Sequence, residues 1–125
     1  MSEKYSTRAI GKLKEDLAVA YLNKQGVKIL DRNFSFNKSN KGGEIDIIGL
    51  DKSTIAFIEV KYRRNEAYGH PSEAVTYSKQ KTICRLAMMY IKIKKLPLNG
   101  SFRFDVISIL GDEITWYKNA FLYHV

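Results

Sequence analysis

The chain of 125 residues is 45% hydrophobic and 27% charged, with a formal net charge of +8. Length and composition suit a single globular domain, residues 1–125, and no apolar run approaches the ~20 residues that cross a bilayer. The single cysteine, Cys84, excludes an internal disulfide and a cysteine-rich zinc site. We expect a cytoplasmic protein with no membrane partner, and the positive charge favours a polyanionic partner, nucleic acid first.

Periodicity and turn signals predict seven elements in the order helix, three strands, helix, two strands. Their expected bounds are about 6–24, 27–36, 44–50, 54–62, 72–94, 102–110 and 114–117. Short turns join strands one to three, which are therefore expected to form an antiparallel meander, with Asp51-Lys52 as the second turn. This order predicts an α/β sandwich, a mixed β-sheet flanked by helices, and not a doubly wound Rossmann domain.

The first helix carries apolar residues on two stripes at three- and four-residue steps. One stripe consists of Ile10, Leu13, Leu17, Ala20 and Tyr21, and the other of Gly11, Glu15, Ala18, Val19 and Leu22. A helix with two apolar stripes is expected to pack on two sides. Because Glu15 lies among small and apolar neighbours, we expect its carboxylate to face inward.

The predicted second and third strands contain charged residues within apolar surroundings. Gly43-Glu44-Ile45-Asp46 is followed, after twelve residues, by Glu59-Val60-Lys61. Buried charges are rare unless they are paired or bind a metal. Alternation places Glu59 and Lys61 on one face of their strand. If Asp51-Lys52 is a two-residue loop, Asp46 stands opposite Phe57 and diagonal to Glu59 on that same face.

Two carboxylates held this close together repel each other unless a cation lies between them. Mg²⁺, or Mn²⁺, suits such a pair because it takes one or two protein carboxylates and keeps several waters. Lys61 could then orient or deprotonate an attacking water, or neutralise phosphate charge. Glu15 would add a carboxylate through a metal-bound water if its helix packs over this face. The pattern therefore indicates a divalent-metal site for phosphodiester chemistry.

Each of these residues also has a simpler interpretation. Glu59 and Lys61 could form a salt bridge on an edge strand, Asp46 could cap a turn, and Glu15 could be a solvated helix acid. Glu44 shares a face with Asp46 but lies at the strand start, so we interpret it as solvated or as a support for the neighbouring acids. These alternatives stay open on spacing alone.

One further aspartate, the two histidines and a methionine pair are expected to have no catalytic role. Asp105 lies between two apolar residues and is interpreted as a structural partner of an arginine. His70 and His124 are isolated and lack metal-ligand spacing. The Met88-Met89 pair is interpreted as core packing.

Beyond these patterns, the chain resembles the bacterial YraN-like protein family, a branch of the restriction-endonuclease-like PD-(D/E)xK nuclease superfamily that is similar to archaeal Holliday-junction resolvases. The motifs that carry the resemblance run over nearly the whole chain. They are Gly11-Lys12-Leu13-Lys14-Glu15 with Ala18 and Leu22, Ile29 to Phe34, Gly43 to Asp46, Phe57 to Arg63, Tyr68-Gly69, Val75-Thr76, Lys79-Gln80, Arg103 to Val106 and Asn119 to Phe121. Ile45 stands where the superfamily label has proline.

The resemblance implies a restriction-endonuclease-like fold of order α-β-β-β-α-β-β. It implies catalytic roles for Asp46, Glu59 and Lys61, with Glu15 as the first-helix acid. We assign metal binding to Asp46, Glu59, Val60 and Glu15. The implied function is a Mg²⁺-dependent endonuclease acting on DNA, including branched, Holliday-junction-like DNA.

Basic residues around the site are the expected contacts to phosphate groups. They are Arg8, Lys12, Arg63, Arg64, Lys79, Lys81 and Arg85. Such contacts would bind DNA without sequence specificity, and a homodimer would suit a two-fold branched substrate. Two alternatives stay open: a non-catalytic nucleic-acid-binding adaptor that retains the fold, and a nuclease for RNA or single strands.

Overall fold

A computed structural model of the chain describes residues 7–37, 42–63 and 75–125. It contains two helices and five strands in the predicted order. They are α1 (Thr7–Lys24), β1 (Lys28–Phe34), β2 (Ile45–Asp51), β3 (Thr54–Arg63), α2 (Tyr77–Ile93), β4 (Ser101–Leu110) and β5 (Glu113–Phe121). In the part of the chain so described, no helix is long and apolar enough to cross a membrane.

The five strands form one mixed sheet in the order β1-β2-β3-β4-β5. β3 and β4 pair in parallel, and every other neighbouring pair is antiparallel. A parallel pair cannot be closed by a tight turn, and α2 lies in the connection from β3 to β4. The predicted meander and the predicted mixed sheet flanked by helices are thus confirmed.

The register between β2 and β3 differs from the prediction by two residues. Asp51 pairs with Thr54, so the turn is Lys52-Ser53 and not Asp51-Lys52; Lys52 accommodates it with a φ of 59°. Phe57 consequently pairs with Ile48 and not with Asp46, and the ladder ends at the Ile47–Ile58 pair. Asp46 and Glu59 directly follow that last pair, so the two acids still lie close together, as predicted.

Two hydrophobic clusters cover the two faces of the sheet. One joins Phe57 and Ile48 to α2, where Leu86 and Tyr90 are buried. The other joins Ile47 and Ile58 of the sheet to Ala18 and Leu22 of α1, among other residues. The helices therefore pack on opposite faces, each excluding water from one side of the central strands.

Both helices depart from the prediction in detail. Leu13 and Leu17 of α1 are 52% and 45% exposed, so the helix packs through one stripe and not two. α2 begins at Tyr77, later than the predicted Ser72 (itself outside the described residues), because the Thr76 side chain caps it by accepting a hydrogen bond from Lys79 N. Met88, which was predicted to pack in the core, is exposed, and so is Tyr77.

A buried ionic network fixes the end of the sheet at which β3 and β4 begin. The Asp105 carboxylate is fully buried and accepts hydrogen bonds from Arg103 Nε at 2.8 Å and Trp116 Nε1 at 2.9 Å. Arg103 also donates to Asp51 at 2.9 Å, and Lys118 lies 3.2 Å from the same carboxylate oxygen. The structural role predicted for Asp105 is confirmed.

The same carboxylate accounts for the length of β5, which was predicted to end at Tyr117 and continues to Phe121. The register between β4 and β5 shifts between Phe104 and Val106. At this bulge Asn119 has a φ of 58°, and its backbone N–H donates to Asp105 at 2.9 Å. The buried side chain thus replaces a backbone acceptor where the ladder is interrupted.

We predict that Arg103→Met lowers the free energy of unfolding by about 3–5 kcal/mol, because it leaves the buried Asp105 charge without its main partner. Urea unfolding followed by circular dichroism measures the change. Lys118→Met is the matched control, since the Lys118 side chain is 52% exposed and exposed ion pairs contribute less than about 1 kcal/mol. Equal losses in the two variants would contradict the structural assignment.

Candidate functional site

The candidate site lies where β2 begins and β3 ends, and Asp46 interrupts the ladder there. Asp46 Oδ2 accepts a hydrogen bond from the backbone N–H of Val60 at 2.8 Å. Ile45 packs in the cluster of α2, whereas Ile47, two residues on, packs in the cluster of α1. Strict alternation is therefore lost at Asp46, which is turned toward the α1 side of the sheet.

Glu59 is the most deeply buried acid of this site, with 5% of its surface exposed. Its Oε2 atom lies 3.9 Å from the Nζ atoms of both Lys61 and Lys79. Within the described residues its Oε1 atom is buried and has no hydrogen-bond partner. Leaving a buried acceptor unsatisfied is costly, and a bound donor or cation at this oxygen would remove that cost.

The pKa of Glu59 is raised to about 9. Burial is the largest cause, and the neighbouring Asp46 adds to it through its charge and the close approach of the two carboxyl groups. Lys61 and Lys79 oppose the shift without cancelling it. With protein groups alone, Glu59 therefore holds a proton at neutral pH.

A second group of polar residues joins α1 to the strands beside Asp46. Glu15 accepts hydrogen bonds from Arg32 Nε at 3.2 Å and Arg32 Nη2 at 3.1 Å. Its other oxygen accepts from Asn33 Nδ2 at 3.0 Å, and the same amide lies 3.3 Å from Glu44 Oε1. Glu15 therefore faces inward, as predicted, and Arg32 and Asn33 fix its orientation.

Glu44 belongs to the site, which its place at the strand start did not reveal. Its side chain is half-buried and lies at the same cavity as Glu15 and Asp46. Its pKa is raised, first by burial and then by the charge of Asp46, with a further contribution from Glu15. Glu15, Glu44 and Asp46 thus line one cavity at this end of the sheet, and the charges of Asp46 and Glu15 oppose the ionisation of Glu44.

A cavity of about 540 Å³ opens between α1 and the strand ends. Arg8, Lys12 and Lys14 of α1 supply cationic groups on its lining. Asp46 and Tyr62 lie on the opposite wall, and the Lys14 ammonium sits 4.6 Å from the centre of the Tyr62 ring. An anionic ligand entering this cavity would meet the acids and the cations together.

The basic residues predicted to contact DNA do not all lie at one site. Arg8 and Lys12 line the cavity, and Lys79 contacts Glu59. Arg63 is held by a hydrogen bond from its Nε to Ser108 Oγ at 3.0 Å. Lys81 and Arg85 lie farther along α2 and line a separate groove. Arg64 lies outside the described residues.

The donor set fits a hard divalent cation with few protein ligands. Within residues 7–37, 42–63 and 75–125, no three His, Cys, Asp or Glu side chains form a ready metal-binding group. Asp46 and Glu59 remain as a close pair with an unpartnered buried oxygen, and Mg²⁺ or Mn²⁺ accepts one or two carboxylates with water at its other positions. The metal roles assigned to Asp46, Glu59, Glu15 and Val60 all stay predictions; the Val60 N–H itself is engaged by Asp46.

The site roles of Arg32 and Asn33, and the contact of Lys79 with Glu59, were not predicted from the sequence. Arg32 and Asn33 belong to a polar run inside β1, Asp31-Arg32-Asn33, whose break in alternation was the available signal. Asn33 reaches two acids because its φ of 52° accompanies a strand that is already bulged between Ile29 and Asp31. The contact between Lys79 and Glu59 has no signal along the sequence, since it depends on how α2 lies across the sheet.

We predict that the wild-type free energy of unfolding, measured in EDTA, falls as the pH rises from about 5 to about 9. The native state holds the Glu59 proton up to a pKa of about 9, against 4.5 for an ordinary glutamate, so it binds more protons than the unfolded chain in that window. Each pKa unit corresponds to about 1.4 kcal/mol. Glu59→Gln removes this titration and should give a flatter curve.

Urea unfolding of both proteins at several pH values measures the difference. Lysine, histidine and tyrosine titrations are common to the two chains and cancel in the comparison. Parallel curves for wild type and Glu59→Gln would mean that Glu59 ionises normally. That result would contradict the close approach of a buried Glu59 to Asp46.

Comparison with known proteins places the chain in a family. Residues 14–109 match the model of the uncharacterised protein family UPF0102. A UPF0102 protein of Clostridium perfringens is 47% identical over 125 residues, covering 95% of this chain and 98% of the relative. A UPF0102 protein of Fusobacterium nucleatum is 46% identical over 114 residues, covering 91% and 92%. The chain therefore belongs to the UPF0102 family, the YraN-like family that its motifs predict.

Proposed function

We propose that the protein is a metal-dependent endonuclease that hydrolyses phosphodiester bonds in DNA. The observation that carries the proposal is the buried Glu59 carboxylate, which is packed against Asp46 and has one oxygen without a hydrogen-bond partner among the described residues. The resemblance of Asp46, Glu59 and Lys61 to the PD-(D/E)xK motif supports the same chemistry. Similarity of that superfamily branch to Holliday-junction resolvases supports branched DNA as a substrate and a homodimer as the active form.

Asp46 and Glu59 would hold the cation, Mg²⁺ or Mn²⁺. When bound, such an ion polarises a phosphodiester and lowers the pKa of a coordinated water. The Val60 N–H keeps the Asp46 carboxylate in place, because its 2.8 Å hydrogen bond fixes one of the two oxygens. The site therefore needs little rearrangement when the substrate arrives.

The lysines beside Glu59 supply the positive charge that the reaction needs. Lys61 and Lys79 both lie 3.9 Å from Glu59 Oε2, one on the strand and the other on α2. An ammonium group in this position can neutralise the charge that builds up on a phosphate during hydrolysis. Lys61 is also placed to orient a water near the acids.

The cationic residues of the cavity account for binding to the nucleic-acid backbone. Arg8 and Lys12 line the same cavity as Asp46, so a phosphate that contacts them lies next to the acids. Such contacts carry no base information and weaken with rising salt. We therefore expect cleavage without sequence specificity and a strong dependence of affinity on ionic strength.

A non-catalytic nucleic-acid-binding adaptor is the second candidate. Two observations favour it: both lysines already approach Glu59, and the described residues contain no group of three metal-binding side chains. In that case the ammonium groups would stabilise the acids permanently, and no cation would be needed. The two candidates differ in whether a divalent cation supports DNA cleavage and in whether Asp46→Ala and Lys61→Ala abolish it.

We predict cleavage of DNA in Mg²⁺ or Mn²⁺ by the wild type, and at least about a 100-fold lower rate for Asp46→Ala and Lys61→Ala, since each removes a group that acts on the reacting phosphate. The assay uses linear, single-stranded and four-way-junction DNA, with single-stranded RNA beside them. Lys52→Ala, at the distant β2–β3 turn, is the control and should cleave as the wild type does. Absence of cleavage on every substrate, with unchanged DNA binding in both variants, would favour the adaptor.

We also predict that Mg²⁺ or Mn²⁺ raises the melting temperature, because the cation binds the folded chain, where Asp46 and Glu59 are close together, and not the unfolded chain. At ten times the dissociation constant the gain is about 1.4 kcal/mol, or roughly 3–6 °C for a domain of this size. Differential scanning fluorimetry of wild type and Asp46→Ala measures it. An identical small shift in the two proteins would remove the metal site from the proposal.

A further inference from the structure

A groove of about 840 Å³ runs along the outer face of α2, away from the acidic site. Its second wall is built by residues after the helix, among them Leu96 and Leu98, and by Tyr123 and Val125 near the end of the chain. Neither Asp46 nor Glu59 lines this groove. The proposed nuclease chemistry does not use it.

Residues of α2 enter the groove with the spacing of a helix-packing seam. Lys81, Arg85, Met88 and Lys92 line it, and all four are exposed. They follow one another at four, three and four residues, which is the spacing of one stripe along a helix that faces a neighbouring helix. At 1.5 Å per residue the stripe is about 17 Å long, the length of a partner helix of about 12 residues.

The interior of the groove is apolar, although much of it is exposed. Met88 is 39% exposed, Leu98 75% and Val125 85%. Met89 lies beside Met88, and methionine side chains adapt readily to the shape of an incoming apolar surface. A contiguous exposed apolar surface of this kind is typical of an interaction site.

The border of the groove carries positive charge only. Lys81, Arg85, Lys92 and Lys95 line it, and no aspartate or glutamate does so within the described residues. A fitting ligand therefore combines an aliphatic stripe with acidic flanks. An amphipathic helix with leucine-type residues on one face and glutamate or aspartate beside them has this chemistry.

We propose that this groove, lined by α2 and the segment around residues 123–125, binds an acidic amphipathic helix of a partner protein. A second copy of the chain fits poorly, because a two-fold contact would oppose the same four cations. Nucleic acid fits the cations but gains little from a methionine- and leucine-lined interior. The length of about three helical turns and the open side distinguish the groove from a pocket for a small amphiphile.

The groove is already formed without its partner, because the end of the chain is attached to α2. The His124 ring stacks on Tyr77 at 4.5 Å between ring centres, and its Nε2 atom lies 3.0 Å from Gln80 Oε1. These contacts hold Tyr123 and Val125 against the helix. A preformed groove costs less ordering on binding than a flexible one.

The test uses a designed helical peptide as the probe. It is about 16 residues long, with leucines at alternating three- and four-residue spacing and glutamates on both flanks. One control peptide keeps the leucines and replaces glutamate by lysine; a second keeps the glutamates and replaces leucine by serine. Fluorescence anisotropy measures affinity for the full chain, and amide chemical-shift mapping identifies the residues that respond.

We expect the glutamate-leucine peptide to bind and to shift the signals of Met88, Arg85 and Lys92. Met88→Glu and Lys92→Glu should each weaken binding at least about tenfold, because they place a negative charge in the groove. The matched controls are Leu13→Glu, an exposed apolar position of α1, and Lys24→Glu at the end of α1; neither should change the affinity. DNA cleavage should be the same in all four variants.

Three results would overturn the proposal: no binding of the glutamate-leucine peptide, equal binding of either control peptide, or equal losses in the control variants. Short single-stranded and duplex DNA are titrated in parallel. If DNA shifts the same signals and displaces the peptide at lower concentration, the groove is a nucleic-acid surface and the helix-binding assignment is wrong. Chemical-shift mapping on the wild type is independent of how the variants fold.

Discussion

The proximity of Asp46 and Glu59 is the constraint around which this molecule is arranged. The two acids come together where the β2–β3 ladder ends, next to the Ile47–Ile58 pair, in a sheet whose centre is apolar. Alone, the pair is unfavourable, and Glu59 responds by holding its proton. A protein that keeps this arrangement needs a positive charge there, from its own lysines or from a bound cation.

The surrounding structure supports that constraint from three directions. On β3, Lys61 lies beside Glu59. The helix α2 packs on the face of the sheet opposite α1, and its Lys79 reaches the same Glu59 oxygen. On the α1 side, Glu15 is immobilised by Arg32 and Asn33, which adds a further acid near the cavity. At the other end of the sheet, the Asp105 network fixes the strands from which these side chains project.

Sequence patterns predicted the topology and the central acids, because both depend on short-range signals. Alternation and tight turns determine a meander, and the two acids are neighbours despite a register error of two residues, because both directly follow the last pair of the β2–β3 ladder. The break in alternation at Asp46 was not predicted. The continuation of β5 was missed because it depends on Asp105, which bonds to a backbone N–H fourteen positions away. Ser72 and Thr76 have the same capping chemistry, so local rules did not distinguish the two starts of α2.

Contacts between residues of different helices and strands could not be predicted from these local patterns. Whether Leu13 and Leu17 are covered depends on how many partners α1 meets, and the sheet covers only the stripe containing Ala18 and Leu22. Lys79 was assigned to DNA from its charge, but its ammonium lies 3.9 Å from Glu59, which is on another element. Such contacts require the relative orientation of helix and sheet, which periodicity does not contain.

We propose that a divalent cation replaces the proton that Glu59 holds beside Asp46. Calorimetric titration of Mn²⁺ in buffers of different ionisation enthalpy, near pH 7.5, measures both binding and proton release. We expect binding to the wild type with release of about one proton, because Glu59 must ionise to hold the metal. Glu59→Gln should release none. Absence of binding, or binding with no proton released by the wild type, would contradict the account.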